Sequence, residues 1–272
     1  MIPLCNMHTH TLYCDGKNTV DEMVESAIKL GVKTLGFSGH SPMEGDMFFW
    51  SMPEENVEKY IKSVKEAKTK YAEKIEVVLG MECDSISKRD LSPYEYIIGS
   101  VHTVEKNGEY FGIDSEEYIT LNIINEKFGG DIYSFVKAYY DELTKLPEKF
   151  KFDIVGHFDI VTKYNEGCKH FDIYEEKYKR LALDALDSLC GHGYIFEINS
   201  GAVAKGYRKT AYPADFILRR MVEKGEKIMI NSDTHTTDTI LFGYDTALEF
   251  ARSCGVRSIV VWVDGGFKEF GI

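Results

Sequence analysis

The sequence predicts an α/β barrel formed by a single domain of 272 residues. Short apolar segments alternate seven or eight times with amphipathic segments of helical length, which is the pattern of parallel strands joined by helices. Histidines and carboxylates follow six of these apolar segments. In a closed barrel the strand ends converge on one mouth, whereas an open sheet would spread them along an edge, so the pattern favours the barrel. No low-complexity tract or linker divides the chain, which predicts one domain over residues 1–272.

The apolar periodicity predicts eight strands and seven helices. The strands are 2–7, 33–38, 75–83, 96–101, 152–156, 194–199, 227–231 and 257–262. The helices cover about 20–31, 53–72, 115–126, 131–145, 174–190, 213–224 and 241–254. Thr19 and Glu22 predict a capping box at the first helix. Four glycines predict helix ends, namely Gly31, Gly191, Gly225 and Gly255. Helix spacing is less regular around 103–130, where we expect the barrel to be distorted.

Composition excludes several classes of protein. No apolar run approaches the roughly 20 residues of a membrane helix, and the N-terminus lacks the pattern of a signal peptide. The six cysteines are scattered without a C-x-x-C pair, as expected of reduced thiols in a cytoplasmic protein. A net charge of −12 disfavours a nucleic-acid partner. The same field repels small phosphorylated molecules unless bound cations reverse its sign locally.

The residues at the strand ends are of the types that hold metal ions. His8 and His10 are two apart, so on an extended chain both imidazoles share one face, and Asp233 and His235 repeat this spacing. Either pair alone is more often structural, but the joint pattern indicates a multinuclear site. The predicted ligands are His8, His10, Asp15, His40, Glu82, His102, His157, Asp233 and His235. This mixture suits zinc, iron or manganese, and the spacing does not rank them. His170 and His192 are predicted to lie outside the site.

The order of these motifs resembles the polymerase-and-histidinol-phosphatase (PHP) family, over nearly the whole chain. The matching blocks are His8-Thr9-His10 with Asp15 and His40, Glu82 in Gly-Met-Glu-Cys-Asp, His102 with His157, and Asp233-Thr234-His235. Within the family the chain resembles the histidinol-phosphate phosphatases, through its length and the stretches Gly39-His40-Ser41-Pro42, Gly156-His157-Phe158-Asp159 and Glu197-Ile198-Asn199-Ser200-Gly201. The resemblance implies a distorted (β/α)7 barrel of the TIM-like type. It also implies hydrolysis of L-histidinol phosphate in histidine biosynthesis, by a hydroxide that three metal ions activate.

The resemblance further implies how the ions are shared among the ligands. One ion takes His8, His10, Glu82 and Asp233; a second shares Glu82 and adds His102 and His157; a third takes Asp15, His40 and His235. The residues predicted to be catalytic are Asp233, Glu82 and His235.

Substrate contacts are less sharply defined by the sequence. Lys205 and Arg208 follow the sixth strand, and Lys163 follows His157, so these cations are predicted to bind phosphate, although a solvated loop explains them equally well. Phe49, in the aromatic stretch 48–50, is predicted to cover the imidazole of the substrate or else to pack under its loop. Other carboxylates after strands, Glu197 and Asp84, either bind the substrate ammonium or support the metal ligands.

Three other functions are compatible with parts of the pattern. The main alternative is a PHP-type phosphoesterase acting on another small phosphate ester or nucleotide; the nucleic-acid version lacks basic stripes. A non-catalytic barrel would have lost ligands, and the predicted set is complete. A metal-dependent amidohydrolase would need a bridging lysine after a strand, and no lysine is suitably placed. The sequence does not predict the oligomeric state.

Overall fold

A computed structural model describes residues 2–43, 48–87 and 90–272. Its strands are β1 Cys5–Asn6, β2 Thr34–Phe37, β3 Glu76–Asp84, β4 Tyr96–Ser100, β5 Thr103–Lys106, β6 Glu109–Gly112, β7 Ile154–Val155, β8 Ile195–Asn199, β9 Lys227–Asn231, β10 Ser258–Trp262 and β11 Phe267–Gly271. Its α-helices are α1 Val20–Lys29, α2 Val57–Lys70, α3 Glu117–Lys127, α4 Ile132–Lys149, α5 Glu176–Leu189, α6 Gly201–Ala204, α7 Asp215–Lys224 and α8 Tyr244–Ser253. All eight predicted strands and all seven predicted helices have counterparts in this order.

Seven parallel strands form the wall of the barrel, in the order β1-β2-β3-β4-β7-β8-β9. The wall closes just beyond β1 and β9, where Thr9 and Thr234 form a parallel bridge. There the backbone N–H of His10 donates to the carbonyl of Thr234 at 2.8 Å, and the N–H of Thr234 donates to the carbonyl of His8 at 3.0 Å. The predicted distorted seven-stranded barrel is therefore confirmed.

Two antiparallel hairpins stand outside the wall. The predicted eighth strand exists as β10, but it pairs with β11 instead of joining the barrel sheet. The hairpin β5–β6 occupies the first part of the region where distortion was expected, directly after His102. It was not predicted, because its alternation is short and half exposed.

Local signals in the sequence explain the helix boundaries. The N–H of Glu22 donates to the Thr19 hydroxyl at 3.3 Å, and the N–H of Thr19 donates to the Glu22 carboxylate at 2.8 Å, which completes the predicted capping box. The glycines predicted to end helices, Gly31, Gly191, Gly225 and Gly255, all have positive φ. Gly225 ends α7 in the left-handed conformation, which costs a glycine little.

A buried aromatic side chain packs against the strands below the barrel mouth. Tyr96 begins β4, is 1 % exposed, and donates from its hydroxyl to the carbonyl of Met7 at 2.6 Å. A Cβ atom at Gly36 on β2 or at Gly80 on β3 would lie within 2.5 Å of this side chain, so both strands need glycine there. The polar groups at the strand ends therefore lie above a closely packed interior. Among the described residues, no helix has the length and apolar character needed to cross a membrane.

Candidate metal centre

The polar residues of the centre follow the carboxyl ends of six barrel strands. His8 and His10 follow β1, His40 follows β2, and Glu82 lies near the end of β3. The remaining strand-end groups are His102 after β4, His157 after β7, and Asp233 with His235 after β9. Asp15 lies in the loop between β1 and α1. Because the strands are parallel, these side chains all reach the same mouth.

Glu82 is the central group of this cluster. Its carboxylate is 1 % exposed and lies within 3.5 Å of five imidazoles. Oε2 lies 3.2 Å from His8 Nε2, 3.5 Å from His10 Nε2 and 3.0 Å from His40 Nδ1. Oε1 lies 2.9 Å from His157 Nε2 and 3.5 Å from His102 Nε2. Each carboxylate oxygen therefore faces a different group of imidazoles, as a carboxylate shared between two sites would.

Two aspartates complete the cluster on its open side. Asp233 Oδ1 lies 3.2 Å from His10 Nε2 and 3.6 Å from His8 Nε2. Asp15 Oδ2 lies 3.0 Å from His235 Nε2, and Asp15 Oδ1 lies 3.8 Å from His40 Nε2. The side chains of Asp15 and Asp233 are 25 % and 13 % exposed, whereas Glu82 is buried. The cluster is therefore open to solvent on the side of these two aspartates.

The donor atoms fit divalent metal ions. Among the described residues, four groups of possible ligands have donor atoms within 4.8 Å of one another, and together these groups contain all nine predicted residues and no other described residue. Two ligands about 2.1 Å from a tetrahedral ion are about 3.4 Å apart, close to the separations around Glu82 and Asp233. Several buried donor atoms have no hydrogen-bond partner among the described residues, including His8 Nε2, His10 Nε2 and Glu82 Oε2. Buried polar atoms are seldom left unpaired, so these atoms suit a bound cation.

Burial and neighbouring charges shift the pKa values of these residues in both directions. Burial raises the pKa of Glu82, but the neighbouring imidazoles of His8, His40 and His102 hold that pKa well below its usual range. Burial likewise raises the pKa of Asp233, but His8 and Lys205 bring it well below normal. Burial lowers the pKa of His40 to about 3, which leaves its ring neutral. Burial also lowers the pKa of His102, but the carboxylates of Glu82 and Asp84 raise it to about 9.

Two buried carboxylates outside the nine support individual histidines. Glu197 Oε1 lies 2.7 Å from His8 Nδ1. Asp84 Oδ2 accepts from the backbone N–H of His102 at 2.6 Å and lies 3.4 Å from its Nδ1. Both carboxylates are at most 2 % exposed and are surrounded by donors of the protein. The geometry therefore favours support of the ligands over binding of the substrate ammonium, which the sequence had left open.

The three predicted phosphate-binding cations differ in their surroundings. Lys163 is 7 % exposed, and its ammonium lies 2.6 Å from Asp114 Oδ1 and 4.5 Å from the ring centre of Tyr207. Arg208 donates to the hydroxyl and carbonyl of Thr162 and lies against the ring of Tyr212. These contacts tie the guanidinium to the barrel wall and give no support to its predicted phosphate contact.

Of the three cations, Lys205 is the one best placed for the predicted phosphate contact. The residue is exposed, and no carboxylate among the described residues lies within ion-pairing distance of its ammonium. Although the residue as a whole is exposed, its ammonium is partly desolvated, which lowers its pKa, but Asp233, Asp114 and Asp15 raise that pKa above its usual range. The ammonium is therefore charged and lies in the field of the two aspartates at the open side.

In the aromatic stretch after β2, two side chains are buried and one is exposed. Phe48 and Trp50 are 6 % and 4 % exposed, and Trp50 lies 6.4 Å from the ring of His102. Phe49 is 77 % exposed and meets Trp50 edge to face at 5.4 Å. Of these three aromatic residues, Phe49 alone is exposed, and its contact with a ligand stays a prediction.

One residue near the site was missed by the sequence reasoning. Asp114 follows the β5–β6 hairpin, and the charges of Lys163, Lys205 and His102 counter the effect of burial and lower its pKa. No signal could have identified it, because the hairpin that positions it was not predicted. His170 pairs with Glu117 at 2.7 Å and His192 is exposed, so both lie outside the cluster, as expected.

Comparison with solved structures identifies the same fold elsewhere. A candidate histidinol phosphatase from Listeria monocytogenes aligns with a TM-score of 0.77 at 22 % identity, covering 89 % of this chain and 98 % of the other. The histidinol phosphate phosphatase of Lactococcus lactis, solved with zinc, L-histidinol and phosphate, aligns with a TM-score of 0.68 at 17 % identity, covering 97 % and 98 %. At these identities the similarity establishes the fold.

Sequence comparison gives a consistent result. A protein of Deinococcus radiodurans named "probable histidinol-phosphatase" is 28 % identical over 275 residues, which covers 95 % of this chain and 96 % of that protein. The family model of the PHP domain matches residues 6–201, well over half of the chain. This match, together with the converging strand-end histidines and carboxylates, shows that the chain belongs to the PHP domain family.

Proposed function

We propose that residues 1–272 act as one phosphoesterase unit that hydrolyses L-histidinol phosphate to L-histidinol and phosphate. The observation that carries the proposal is the convergence of nine metal-type donors around Glu82 in a PHP-family chain. The relative from Deinococcus radiodurans carries the name of this activity, and the Lactococcus lactis enzyme was solved with both products and zinc. We keep zinc, iron and manganese as candidate metals.

We infer three ions shared as the family resemblance implies. The close donor groups overlap between these sites, since Glu82 groups both with His8 and His157 and with His40 and His102. His8, His10 and Asp233 form one group of donors, and Glu82 Oε2 lies within 3.5 Å of both imidazoles. The other two proposed sites are Glu82 with His102 and His157, and Asp15 with His40 and His235. Ions bound there supply two effects, neutralisation of the phosphate dianion and a lower pKa for a coordinated water.

The chain itself orients the reaction. Glu82 is proposed to connect two of the sites, because its Oε2 faces His8 of one site and its Oε1 faces His157 of the other. Asp233 and His235 lie at the partly exposed face and are proposed as the groups nearest the reacting phosphate. Lys205 adds positive charge on this side without an ion pair to break. Phe49 is proposed to contact the imidazole of histidinol from the rim.

One substrate screen tests the activity. Phosphate release from histidinol phosphate is compared with release from nucleotides, sugar phosphates and p-nitrophenyl phosphate, before and after treatment with a chelator. We expect kcat/KM for histidinol phosphate to exceed that for p-nitrophenyl phosphate by at least about 100-fold, about 3 kcal/mol of discrimination. Chelation should abolish turnover, and added metal should restore it.

Two results would contradict the proposal in different ways. Undiminished turnover by metal-free protein would exclude the metal mechanism. A kcat/KM for histidinol phosphate no better than for the generic ester would leave a PHP-type phosphoesterase with another small substrate, the alternative noted above. The cytoplasmic location and the absence of nucleic-acid and membrane partners stay predictions. All six cysteines are free thiols, which is compatible with that location.

A further inference from the structure

Glu197 forms an unusually complete set of hydrogen bonds beneath the metal centre. It lies on β8 and is 1 % exposed. Oε1 contacts His8 Nδ1 at 2.7 Å and Asn231 Nδ2 at 2.9 Å, and Oε2 contacts the backbone N–H of His157 and Asn199 Nδ2, both at 2.8 Å. The carboxylate thus joins β8 and β9 to the segments that follow β1 and β7.

Three of these four partners can only donate. The N–H of His157 is a backbone donor. Asn231 Oδ1 accepts from the N–H of Met7 at 2.8 Å, and Asn199 Oδ1 accepts from the N–H of Gly201 at 2.8 Å. Because these backbone donors fix both amide orientations, each asparagine presents its NH₂ group to Glu197.

The fourth partner must then be a donor as well. A carboxylate only accepts, so Nδ1 of His8 carries a proton at its 2.7 Å contact with Oε1. In the neutral ring that binds a metal, the lone pair consequently resides on Nε2. That atom is buried without a hydrogen-bond partner and lies 3.2 Å from Glu82 Oε2 and 3.6 Å from Asp233 Oδ1.

We propose that Glu197 is a positioning residue that fixes the tautomer of His8 and the backbone of His157, and so sets the metal affinity of the centre. The inference rests on the metal site of the proposed function. Carboxylates that orient ligating histidines typically contribute about 10- to 100-fold in metal affinity. Here a single carboxylate acts on two proposed ligands, which belong to different ion sites.

Glutamine cannot replace this carboxylate. Its amide has one accepting oxygen and an NH₂ group, whereas four donors converge on Glu197. If NH₂ faces His8, Nδ1 becomes the acceptor and the proton moves to Nε2, which then cannot bind metal. If NH₂ faces the other way, it meets the N–H of His157 and the NH₂ of Asn199. Either orientation disturbs one of the two proposed ligands.

The test compares Glu197→Gln with a matched control, Glu76→Gln. Glu76 accepts from Trp262 Nε1 at 2.9 Å and from the N–H of Gly265 at 2.8 Å, at the amino-terminal end of β3 and away from the cluster. Zinc affinity is measured by competition with a chromogenic chelator, and zinc content by elemental analysis. We expect zinc binding about 10- to 100-fold weaker in Glu197→Gln and unchanged in Glu76→Gln. Equal affinities in all three proteins would overturn the inference.

A second measurement does not depend on the variant folding. Two-bond ¹H–¹⁵N correlation spectra of the zinc-loaded wild-type protein report which nitrogen of His8 carries hydrogen. Hydrogen on Nδ1 supports the inference, and hydrogen on Nε2 overturns it. Wild-type protein that binds no zinc, iron or manganese would instead refute the proposed function and this inference with it. Normal wild-type binding with an unaffected Glu197→Gln variant refutes the inference alone.

Discussion

Asp233→Asn separates the chemical contribution of this side chain from its structural one. Asp233 has a φ of 49°, in the left-handed region that disfavours most side chains. Asparagine tolerates this region as aspartate does, whereas alanine loses roughly 1 kcal/mol there. We therefore expect Asp233→Asn to unfold within about 0.5 kcal/mol of the wild type. Asp233→Ala serves as the strained comparison.

The effect on the metal centre should be much larger. Asp233 Oδ1 is one of three donor groups in its cluster, 3.2 Å from His10 Nε2 and 3.6 Å from His8 Nε2, and the amide removes its charge. Loss of an outer carboxylate typically costs about 10- to 100-fold in metal affinity, so loss of a direct ligand should cost at least about 100-fold. Loss of one preorganised electrostatic group typically lowers kcat by about 10²- to 10³-fold, and we expect at least that loss here.

Three measurements on the same preparation test this prediction. Thermal unfolding reports stability, elemental analysis after gel filtration reports metal content, and phosphate release reports kcat. The reasoning is refuted if Asp233→Asn retains both the full metal content and a kcat within threefold of the wild type. An unfolded Asp233→Asn would show instead that the carboxylate is structural.

Three further predictions concern packing, pH and charge. Gly201→Ala should lower metal affinity and kcat, since a Cβ there would lie 2.8 Å from the Asp233 carboxylate, whereas Gly266→Ala, with no atom within 4 Å, should behave as wild type. The carboxylates of Glu82 and Asp84 outweigh burial and raise the pKa of His102 to about 9, so this ring must lose a proton before it binds zinc. Zinc affinity measured from pH 6 to 9 should therefore rise by about tenfold per pH unit for each proton displaced, and a flat profile would contradict this. Lys205→Met should raise KM for phosphate esters several-fold with little change in unfolding free energy, since the side chain is exposed; an unchanged KM would argue against a phosphate contact.

The meeting of the nine donors could be predicted from the sequence because it depends only on the parallel direction of the strands. His8 and Asp233 are far apart in the chain, but both follow barrel strands, and the closing bridge of Thr9 and Thr234 brings them together. The number of ions and the roles of the donors do not follow from this argument and stay predictions.

Features that depend on register and on inserted segments could not be predicted. The contacts of Glu197 require the offsets of β7, β8 and β9, which periodicity does not reveal. Lys163 looked like a free cation because its partner, Asp114, follows an unpredicted hairpin. Arg208 looked similar, yet it folds back onto Thr162. Charge in a sequence identifies a possible contact, but the partner of a charged group is decided by tertiary structure.

The charge of the pocket makes metal binding and phosphate binding interdependent. Asp15, Glu82 and Asp233 all have pKa values held well below their usual range, so three carboxylates are ionised at the mouth of a chain with a net charge of −12. Without cations this field repels a phosphate dianion, and bound divalent ions reverse it. Because binding free energies are reciprocal, phosphate must raise zinc affinity by the same factor by which zinc raises phosphate affinity. Calorimetric titrations of each ligand with and without the other measure both factors. Phosphate binding to metal-free protein as tightly as to loaded protein would show that Lys205 and its neighbours, and not the ions, hold the substrate.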